Sequence, residues 1–381
     1  SLLGQRLMLP NNSIRTLVGC GTAAGIAASF NTPLAGVIFA MEVVMLEYTI
    51  VGFIPVILAA VSATTLIQVV YGDSTVFNVP PVHLDSAVEL VWVAVMGMAM
   101  GILAAAFIGL LERTSRLSGE WPVVARMTAG GVLVGLCAMV MPEVMGIGYD
   151  TVNGALLGGM SLGLLVAIVA MKLVATALGL GMGLPGGLIG PSLVIGAAAG
   201  AAMGFISDDL FPVETAEPGF YALLGMAAMM AAVLQAPLAA LMAMLELAGN
   251  PNIILPGMVA VIIAALTASQ IFRQGSVFTM LLRIRGLDYN EGPVAQHLRR
   301  AGVASIMDRE FVIADHAQSR VAVEELLRRN PRWVLIRRDG EITHLMPAAD
   351  LQRAMHESDD QELDLLNIPA QRMNATPVPI Q

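Results

Sequence analysis

Long apolar segments, separated by short polar connections, dominate the chain from residue 14 to residue 272. A helix needs about 20 apolar residues to span a bilayer, and most of these segments approach that length. Some are shorter or interrupted by glycine, and we expect these not to cross fully. The pattern predicts an all-α polytopic membrane protein. The segments lie near 14–30, 33–46, 50–70, 88–111, 122–141, 161–180, 192–206, 219–234, 237–248 and 253–272.

A different pattern begins near residue 297, where charged residues alternate with short apolar runs. We expect a membrane domain over residues 1–287, a linker over 288–302 and a soluble α/β module over 303–381. Within the module, Asp339 and Gly340 form a turn signal. We predict helices at 321–329 and 350–356, strands at 333–337 and 341–346, and the opening of a second module over 364–381.

The segment 181–191, with the sequence GMGLPGGLIGP, interrupts the membrane pattern with glycine and proline. Non-helical backbone at membrane depth is tolerated only when it is buried in protein or lines a wet cavity. Pro191 suits the first turn of a new helix, where a missing N–H costs nothing. Free N–H groups and the partial positive charge of such a helix would make an anion site without Lys or Arg. The alternative is a tight loop between two packed helices.

Two segments of the chain repeat each other without a gap. Residues 21–42 read GTAAGIAASFNTPLAGVIFAME, and residues 225–246 read GMAAMMAAVLQAPLAALMAMLE, at a constant offset of 204. Both copies carry a proline at the same place and end in a glutamate, Glu42 in one and Glu246 in the other. Repeats of this kind build transporters whose binding site lies at the repeat interface.

The same offset bears on the 181–191 segment. Subtracting 204 places its counterpart before residue 1. We therefore expect an N-terminal segment that precedes this chain, and we expect the chain alone to be incapable of gated transport.

Composition supports a membrane protein and excludes other classes. The 381 residues are 56% hydrophobic and 13% charged, against about 25% charged residues in a soluble domain. The net charge of −9 argues against a nucleic-acid partner. Cys20 and Cys137 lie in apolar segments, which favours small core residues over a disulfide. Of the five histidines, none lies in an apolar segment, so we expect no enzyme and no metal site.

Lys and Arg are distributed unequally among the connections. Cytoplasmic connections carry an excess of these residues. Residues 72–87 and 207–218 contain none, 112–126 contains three arginines, and Arg283 and Arg285 follow the last apolar segment. We therefore expect an integral membrane protein, in a bacterial inner membrane, with a cytoplasmic C-terminal tail.

The motifs together resemble the CLC family of chloride channels and proton/chloride exchangers, and the tail is similar to a CBS domain. The resemblance implies an inverted-repeat antiparallel helix fold. It also implies chloride as the transported ion and a homodimer in membrane lipid with one pore per subunit. The motifs that carry it are GIAASFNTPLAG at 25–36 with Glu42, PGGLIGP at 185–191, and QAPL at 235–238 with Glu246.

The resemblance further implies an anion site made by backbone N–H groups, with Leu188 and Ile189 as the matching donors. Many members add a Tyr hydroxyl from the last membrane helix, where this chain has Phe278. Two family loops, with a site serine and a gating glutamate, are expected upstream of Ser1, and the similar sequence at 290–293 is a decoy. The predicted anion-binding residues are Gly187, Leu188, Ile189, Gly190, Pro191 and Phe278.

Glu42, Glu246 and Lys172 are ionisable residues of apolar segments, where such groups are expensive and functional or paired. For Glu42 and Glu246 we favour a structural role, in which each satisfies helix N-termini or loop N–H groups. Lys172 has two interpretations that the sequence leaves open. It pairs with a carboxylate, or it faces the inner vestibule and attracts anions.

Val43 occupies the position that a second glutamate takes in resembling exchangers, where it accepts protons from the inside. Valine does not titrate, so we expect a voltage- or ligand-gated chloride channel with weak or no proton coupling. The alternative is a proton/chloride antiporter in which Glu47, one helical turn on, supplies protons. A membrane-anchored nucleotide sensor is a third interpretation.

CBS modules often bind adenine nucleotides through an Asp that contacts ribose, with Ser or Thr three residues earlier. Here Asp350 is present, but Pro347 replaces the hydroxyl. We retain adenine nucleotide as a candidate ligand. The alternative is a dimerisation or gating module without a cofactor.

Overall fold

Two units divide the chain, Ser1–Tyr289 and Asn290–Gln381. A computed structural model describes residues 2–46, 48–72, 77, 79, 89–210, 216–287, 310–338, 340–357, 361–368 and 373–374. The predicted linker at 288–302 lies outside the described residues.

Helices make up the first unit, and their bounds follow the apolar segments predicted from the sequence. In the described part of the chain, six helices are long and apolar enough to cross a membrane. The helices are α1 (Leu2–Arg6), α2 (Asn11–Phe30), α3 (Pro33–Phe39), α4 (Ile50–Tyr71), α5 (Glu89–Leu117), α6 (Val123–Val140), α7 (Tyr149–Leu156), α8 (Leu162–Gly181), α9 (Ile189–Leu210), α10 (Pro218–Leu234), α11 (Pro237–Ala248), α12 (Ile254–Leu266) and α13 (Val277–Ile284).

Some of these elements have no counterpart in the apolar pattern. The short helices α1, α7 and α13 were not predicted, because five to eight residues with polar positions give no clear hydropathy signal. A π-helical turn, Ala40–Met45, continues α3, and a second, Thr267–Ile271, continues α12. Such turns are rare and frequently occur at functional sites.

The sequence repeat is also a structural repeat. Helices α2 and α10 end 204 residues apart, and α4 and α12 begin 204 residues apart. Between α2 and α3 the chain turns through Asn31, with φ 54° and ψ 37°, and between α10 and α11 it turns through Gln235, with φ 53° and ψ 45°. Both residues adopt the left-handed conformation, and a proline then opens the next helix in each copy. The two copies therefore share a turn geometry as well as a sequence.

The core of this unit is built around α9 and α10, which approach each other through glycines. A Cβ added to Gly196 would collide with the Gly225 carbonyl, and one added to Gly200 would collide with the Tyr221 carbonyl. Small residues allow helix backbones to pack closely in lipid, where no hydrophobic force draws helices together. Every residue of α10 from Gly219 to Leu234 is buried.

The described residues of the second unit form strands and two helices. The four-stranded sheet has the order β1-β3-β4-β6, in which β1 and β3 are parallel and the other neighbours are antiparallel, and β2 pairs with β5. The elements are β1 (Phe311–Asp315), β2 (Ala317–Ser319), α14 (Arg320–Leu327), β3 (Trp333–Arg338), β4 (Glu341–Pro347), α15 (Ala348–Glu357), β5 (Glu362–Asp364) and β6 (Met373–Asn374).

The sequence identified β3, β4, α14 and α15 but missed the short strands around them. Leu365 and Ile368, which we assigned to the opening of a second module, are buried in the same core as Val334 and Ile336. These two residues therefore pack with the first module, and the predicted opening of a second module stays a prediction. The assignment of the first module as a CBS domain stays a prediction.

Candidate functional site

The predicted interruption at 181–191 is a loop between α8 and α9. Helix α8 closes with two backbone hydrogen bonds, from Gly183 N–H to Leu180 O at 3.0 Å and from Leu184 N–H to Gly179 O at 3.0 Å. Gly183 adopts φ +84°, which is the left-handed conformation typical of glycine after a helix end. The chain then continues without helical structure until α9.

Helix α9 begins at Ile189, with Pro191 in its first turn. The Leu188 carbonyl accepts the first helical hydrogen bond, from Ser192 N–H at 3.1 Å, and the Ser192 hydroxyl at 2.7 Å. The first N–H groups of a helix have no acceptor within that helix, which applies here to Leu188, Ile189 and Gly190. Together with the helix dipole, these groups, which include the predicted donors Leu188 and Ile189, can hold an anion by backbone alone.

A largely apolar cavity lies beside this helix start. Ile189 lines it, as do residues from both repeat copies. Ile26 and Met230 are repeat partners, and so are Phe39 and Ala243, because each pair is separated by 204 residues. The cavity therefore lies between the repeat copies, where binding sites of repeat-built transporters occur.

Phe278 is close to the same cavity through Phe39. The two rings pack edge to face with centroids 6.3 Å apart and planes at 81°. Phe278 lies in the first turn of α13, whose N-cap residue Ser276 accepts a long hydrogen bond of 3.4 Å from Phe278 N–H. The structure thus brings Ile189, Phe39 and Phe278 together, although they come from three separate parts of the sequence.

The two repeat glutamates bind each other's helices. The Glu246 carboxylate accepts hydrogen bonds from Leu34 N–H at 2.9 Å and Ala35 N–H at 2.8 Å. The Glu42 carboxylate accepts from the equivalent groups of the other copy, Leu238 N–H at 3.2 Å and Ala239 N–H at 2.8 Å. Each negative charge therefore lies at the positive end of a short helix.

Lys172 contacts backbone carbonyls, and neither interpretation from the sequence describes it. Its ammonium group donates to Val144 O at 2.7 Å and Gly146 O at 3.0 Å. The side chain is only 2% exposed, so it does not face an open vestibule. Its hydrogen bonds instead hold the segment that leads into α7.

Val43 lies in the π-helical turn that follows α3, and its side chain is partly buried against the main core. Arg15 donates to Met45 O at 2.7 Å at the end of the same turn. Glu47 and the 290–293 sequence lie outside the described residues.

Glu89 is a buried carboxylate that sequence reasoning missed. It is 3% exposed at the start of α5 and accepts hydrogen bonds from Ala216 N–H at 3.1 Å and the Tyr221 hydroxyl at 3.0 Å. Ser207 lies 3.3 Å from the same hydroxyl. In the sequence, Glu89 is an acidic residue at the edge of an apolar segment. Charged residues at such positions are usually solvated, so the sequence did not indicate that Glu89 is buried.

In the second unit, Asp350 lies in the first turn of α15, 3.7 Å from the guanidinium of Arg353. Asp315 and Arg337 form an exposed bidentate pair at 2.8 and 3.2 Å. The hydrogen bond from Arg337 lowers the pKa of Asp315. Any stability from this pair is therefore present at neutral pH and is lost as the pH falls through the lowered pKa.

Comparison with known families decides the identity of the helical unit. The family model described as voltage gated chloride channel matches residues 1–269. The chain belongs to this voltage gated chloride channel family. A Ralstonia nicotianae relative, described by name as a ClcB-like chloride channel protein, is 33% identical over 257 residues. The match covers 67% of this chain but only 60% of that relative.

Solved structures confirm the CLC-type helix fold. A slow cyanobacterial Cl⁻/H⁺ antiporter superposes with a TM-score of 0.67 at 23% identity, covering 76% of this chain and 69% of that structure. A eukaryotic CLC transporter gives a TM-score of 0.58 at 19% identity, covering 89% and 70%. At these identities the likeness concerns the fold.

Proposed function

We propose that the full-length protein transports chloride across a membrane and is not an enzyme. The observation that carries the proposal is the start of α9. There, the first-turn backbone N–H groups have no helical acceptor, and Ile189 lines an apolar cavity between the repeat copies. Family membership and the name of the Ralstonia nicotianae relative support the same ion. Homodimerisation, surrounding lipid, a bacterial inner membrane and a cytoplasmic tail belong to this proposal.

A pair of proline substitutions tests the site. Ile189 and Leu162 each occupy the first position of a helix, α9 and α8, where proline is tolerated because that N–H is unbonded in the helix. Ile189→Pro and Leu162→Pro therefore each remove one free N–H, but only Ile189 lies at the candidate site. We expect Ile189→Pro to weaken chloride binding and flux by at least about tenfold, since a hydrogen bond to a charged group contributes about 1.5–3 kcal/mol.

The measurement is chloride efflux from liposomes containing the full-length protein, with calorimetric chloride binding to purified protein. Leu162→Pro should behave as wild type in both. Equal chloride affinity in Ile189→Pro and wild type would place the site elsewhere.

We further infer that proton coupling is weak or absent, through a voltage- or ligand-gated channel mode. Val43 supports this mode because an aliphatic side chain neither binds a proton nor orders water, which needs polar partners in a protein. Phe278 also lacks a hydroxyl that could ligate the anion. The alternative is proton/chloride antiport, favoured by the described activity of the cyanobacterial structure. Adenine nucleotide binding near Asp350 stays a secondary prediction.

A further inference from the structure

Arg126 contacts the 181–191 loop at the point where α8 ends. It is the fourth residue of α6, and its guanidinium lies against the backbone of Gly183. A Cβ added to Gly183 would lie 2.8 Å from Nη2, 3.1 Å from Nε and 3.2 Å from Cζ of Arg126. The absence of a side chain at Gly183 is what allows this approach.

Among the described residues, the guanidinium of Arg126 has no anionic partner. Its Nε is shielded from solvent without a hydrogen bond, and it forms no ion pair with any residue that the structure describes. Arg116, in contrast, binds the Glu112 carboxylate at 2.7 Å. Removing a charge from water without a counter-charge is costly, so a half-buried guanidinium in this state favours a bound anion.

Arg126 contacts the beginning of the loop that leads from α8 to the proposed chloride site. The Ser118 hydroxyl donates to Gly181 O at 3.0 Å, and the Thr114 hydroxyl donates to Ala177 O at 2.9 Å. These bonds fix the end of α8 to the arginine-rich end of α5. The loop that leads to Ile189 therefore begins next to this end of α5.

We propose that Arg126 forms an outlying subsite for a small inorganic anion, which collects chloride for the backbone site at the start of α9. This inference rests on the proposed chloride transport. A half-exposed arginine binds an anion weakly, and a conduction pathway needs ions that enter readily and leave again. The attraction of chloride by the Arg126 charge weakens as added salt screens that charge. A purely structural role of Arg126 would not show this salt dependence.

The test compares wild type with Arg126→Gln, Arg126→Lys and the matched control Arg116→Gln, as full-length proteins in liposomes. Initial chloride efflux is measured against chloride concentration at ionic strengths of about 0.01 M and about 0.3 M. We expect Arg126→Gln to raise the half-saturating chloride concentration about three- to tenfold at low ionic strength and less at high ionic strength. Arg126→Lys should retain most of the wild-type affinity, and Arg116→Gln all of it.

Lipid composition separates chloride from a lipid phosphate as the ligand. The measurements are repeated in neutral phosphatidylcholine vesicles and in vesicles with phosphatidylglycerol. A defect of Arg126→Gln in both vesicle types supports the proposal. A defect confined to phosphatidylglycerol vesicles would identify a lipid phosphate and overturn it.

A further variant covers the case in which Arg126→Gln fails to fold. In a background in which Cys20, Cys137 and any other cysteine of the full-length protein are replaced by Ser, Arg126→Cys is modified with a cationic or an anionic methanethiosulfonate. The cationic reagent should restore chloride affinity and the anionic one should not. Equal effects of both reagents, or an unchanged half-saturating concentration in Arg126→Gln, would contradict this inference alone. Absence of saturable chloride efflux in wild type would contradict the proposed function itself.

Discussion

Glu42 and Glu246 show how single residues connect the repeat copies. Each carboxylate lies in one copy and accepts two backbone hydrogen bonds from the first helical turn after the proline in the other. Hydrogen bonds to ionised groups contribute about 1.5–3 kcal/mol, and an unsatisfied buried donor costs about 1–3 kcal/mol. Both charges therefore stabilise the interface that borders the candidate site.

Replacing either glutamate should destabilise the protein by a similar amount. In Glu42→Gln or Glu246→Gln, the amide oxygen accepts one N–H, and the amide nitrogen faces the other N–H without accepting it. We expect a loss of about 2–4 kcal/mol in each variant, seen as a lower thermal unfolding midpoint of the purified protein. Glu112→Gln, on the surface of α5, is the control and should change little. If Glu42→Gln and Glu246→Gln both unfold at the wild-type midpoint temperature, the hydrogen bonds of these carboxylates contribute no net stability.

At the scale of elements, α9 and α10 act as one packed pair. The N-terminus of α9 carries the candidate anion site, and its glycines contact the α10 backbone. The buried network of Glu89, Tyr221 and Ser207 lies near the opposite end of α9. The position of the site thus depends on contacts along the whole helix.

Gly200→Ala should separate these two helices. The new methyl group would collide with the Tyr221 carbonyl, and backbone cannot rotate away as a side chain can. We expect a loss of about 3 kcal/mol, together with weaker chloride binding, because the start of α9 moves. Gly131→Ala on α6 meets open space and should stabilise by up to about 1 kcal/mol through helix propensity. Chemical unfolding measures the stability of both variants, and calorimetry measures their chloride affinity. Equal stabilities of Gly200→Ala and Gly131→Ala would contradict tight packing of α9 against α10.

At the scale of the whole molecule, transport is either passive or coupled to protons. Coupling needs a proton route from the inside, and we propose that Val43 interrupts that route because an aliphatic side chain does not bind a proton. The choice between passive and coupled transport concerns the full-length protein, because the match to the Ralstonia nicotianae relative covers 60% of that relative.

The reversal potential of the full-length protein in liposomes, under opposed chloride and pH gradients, distinguishes the two modes. We expect the reversal potential to equal the chloride equilibrium potential and to be independent of the pH gradient. Val43→Glu should then create measurable proton movement, whereas Val43→Gln, which does not titrate in this range, should not. A clear shift with pH in wild type would establish antiport instead.

The sequence by itself determined the helical segments, the repeat and the loop at 181–191. These features are local in the chain. Apolar length selects helices in lipid, where backbone groups must bond internally. Glycine and proline indicate turns because of their own backbone geometry. The repeat is found by comparing the sequence with itself at a constant offset of 204 residues.

Tertiary structure decided which residues meet. Glu246 forms a hydrogen bond with Leu34, which is 212 positions away in the sequence, and Glu89 forms one with Tyr221, 132 positions away. Lys172 donates hydrogen bonds to carbonyl groups 26 and 28 residues away. From the sequence, Arg126 was one of several charges expected on the cytoplasmic side. The structure shows that it contacts Gly183. Such contacts leave no local signal, because a hydrogen bond between distant segments depends on the packing of every helix between them.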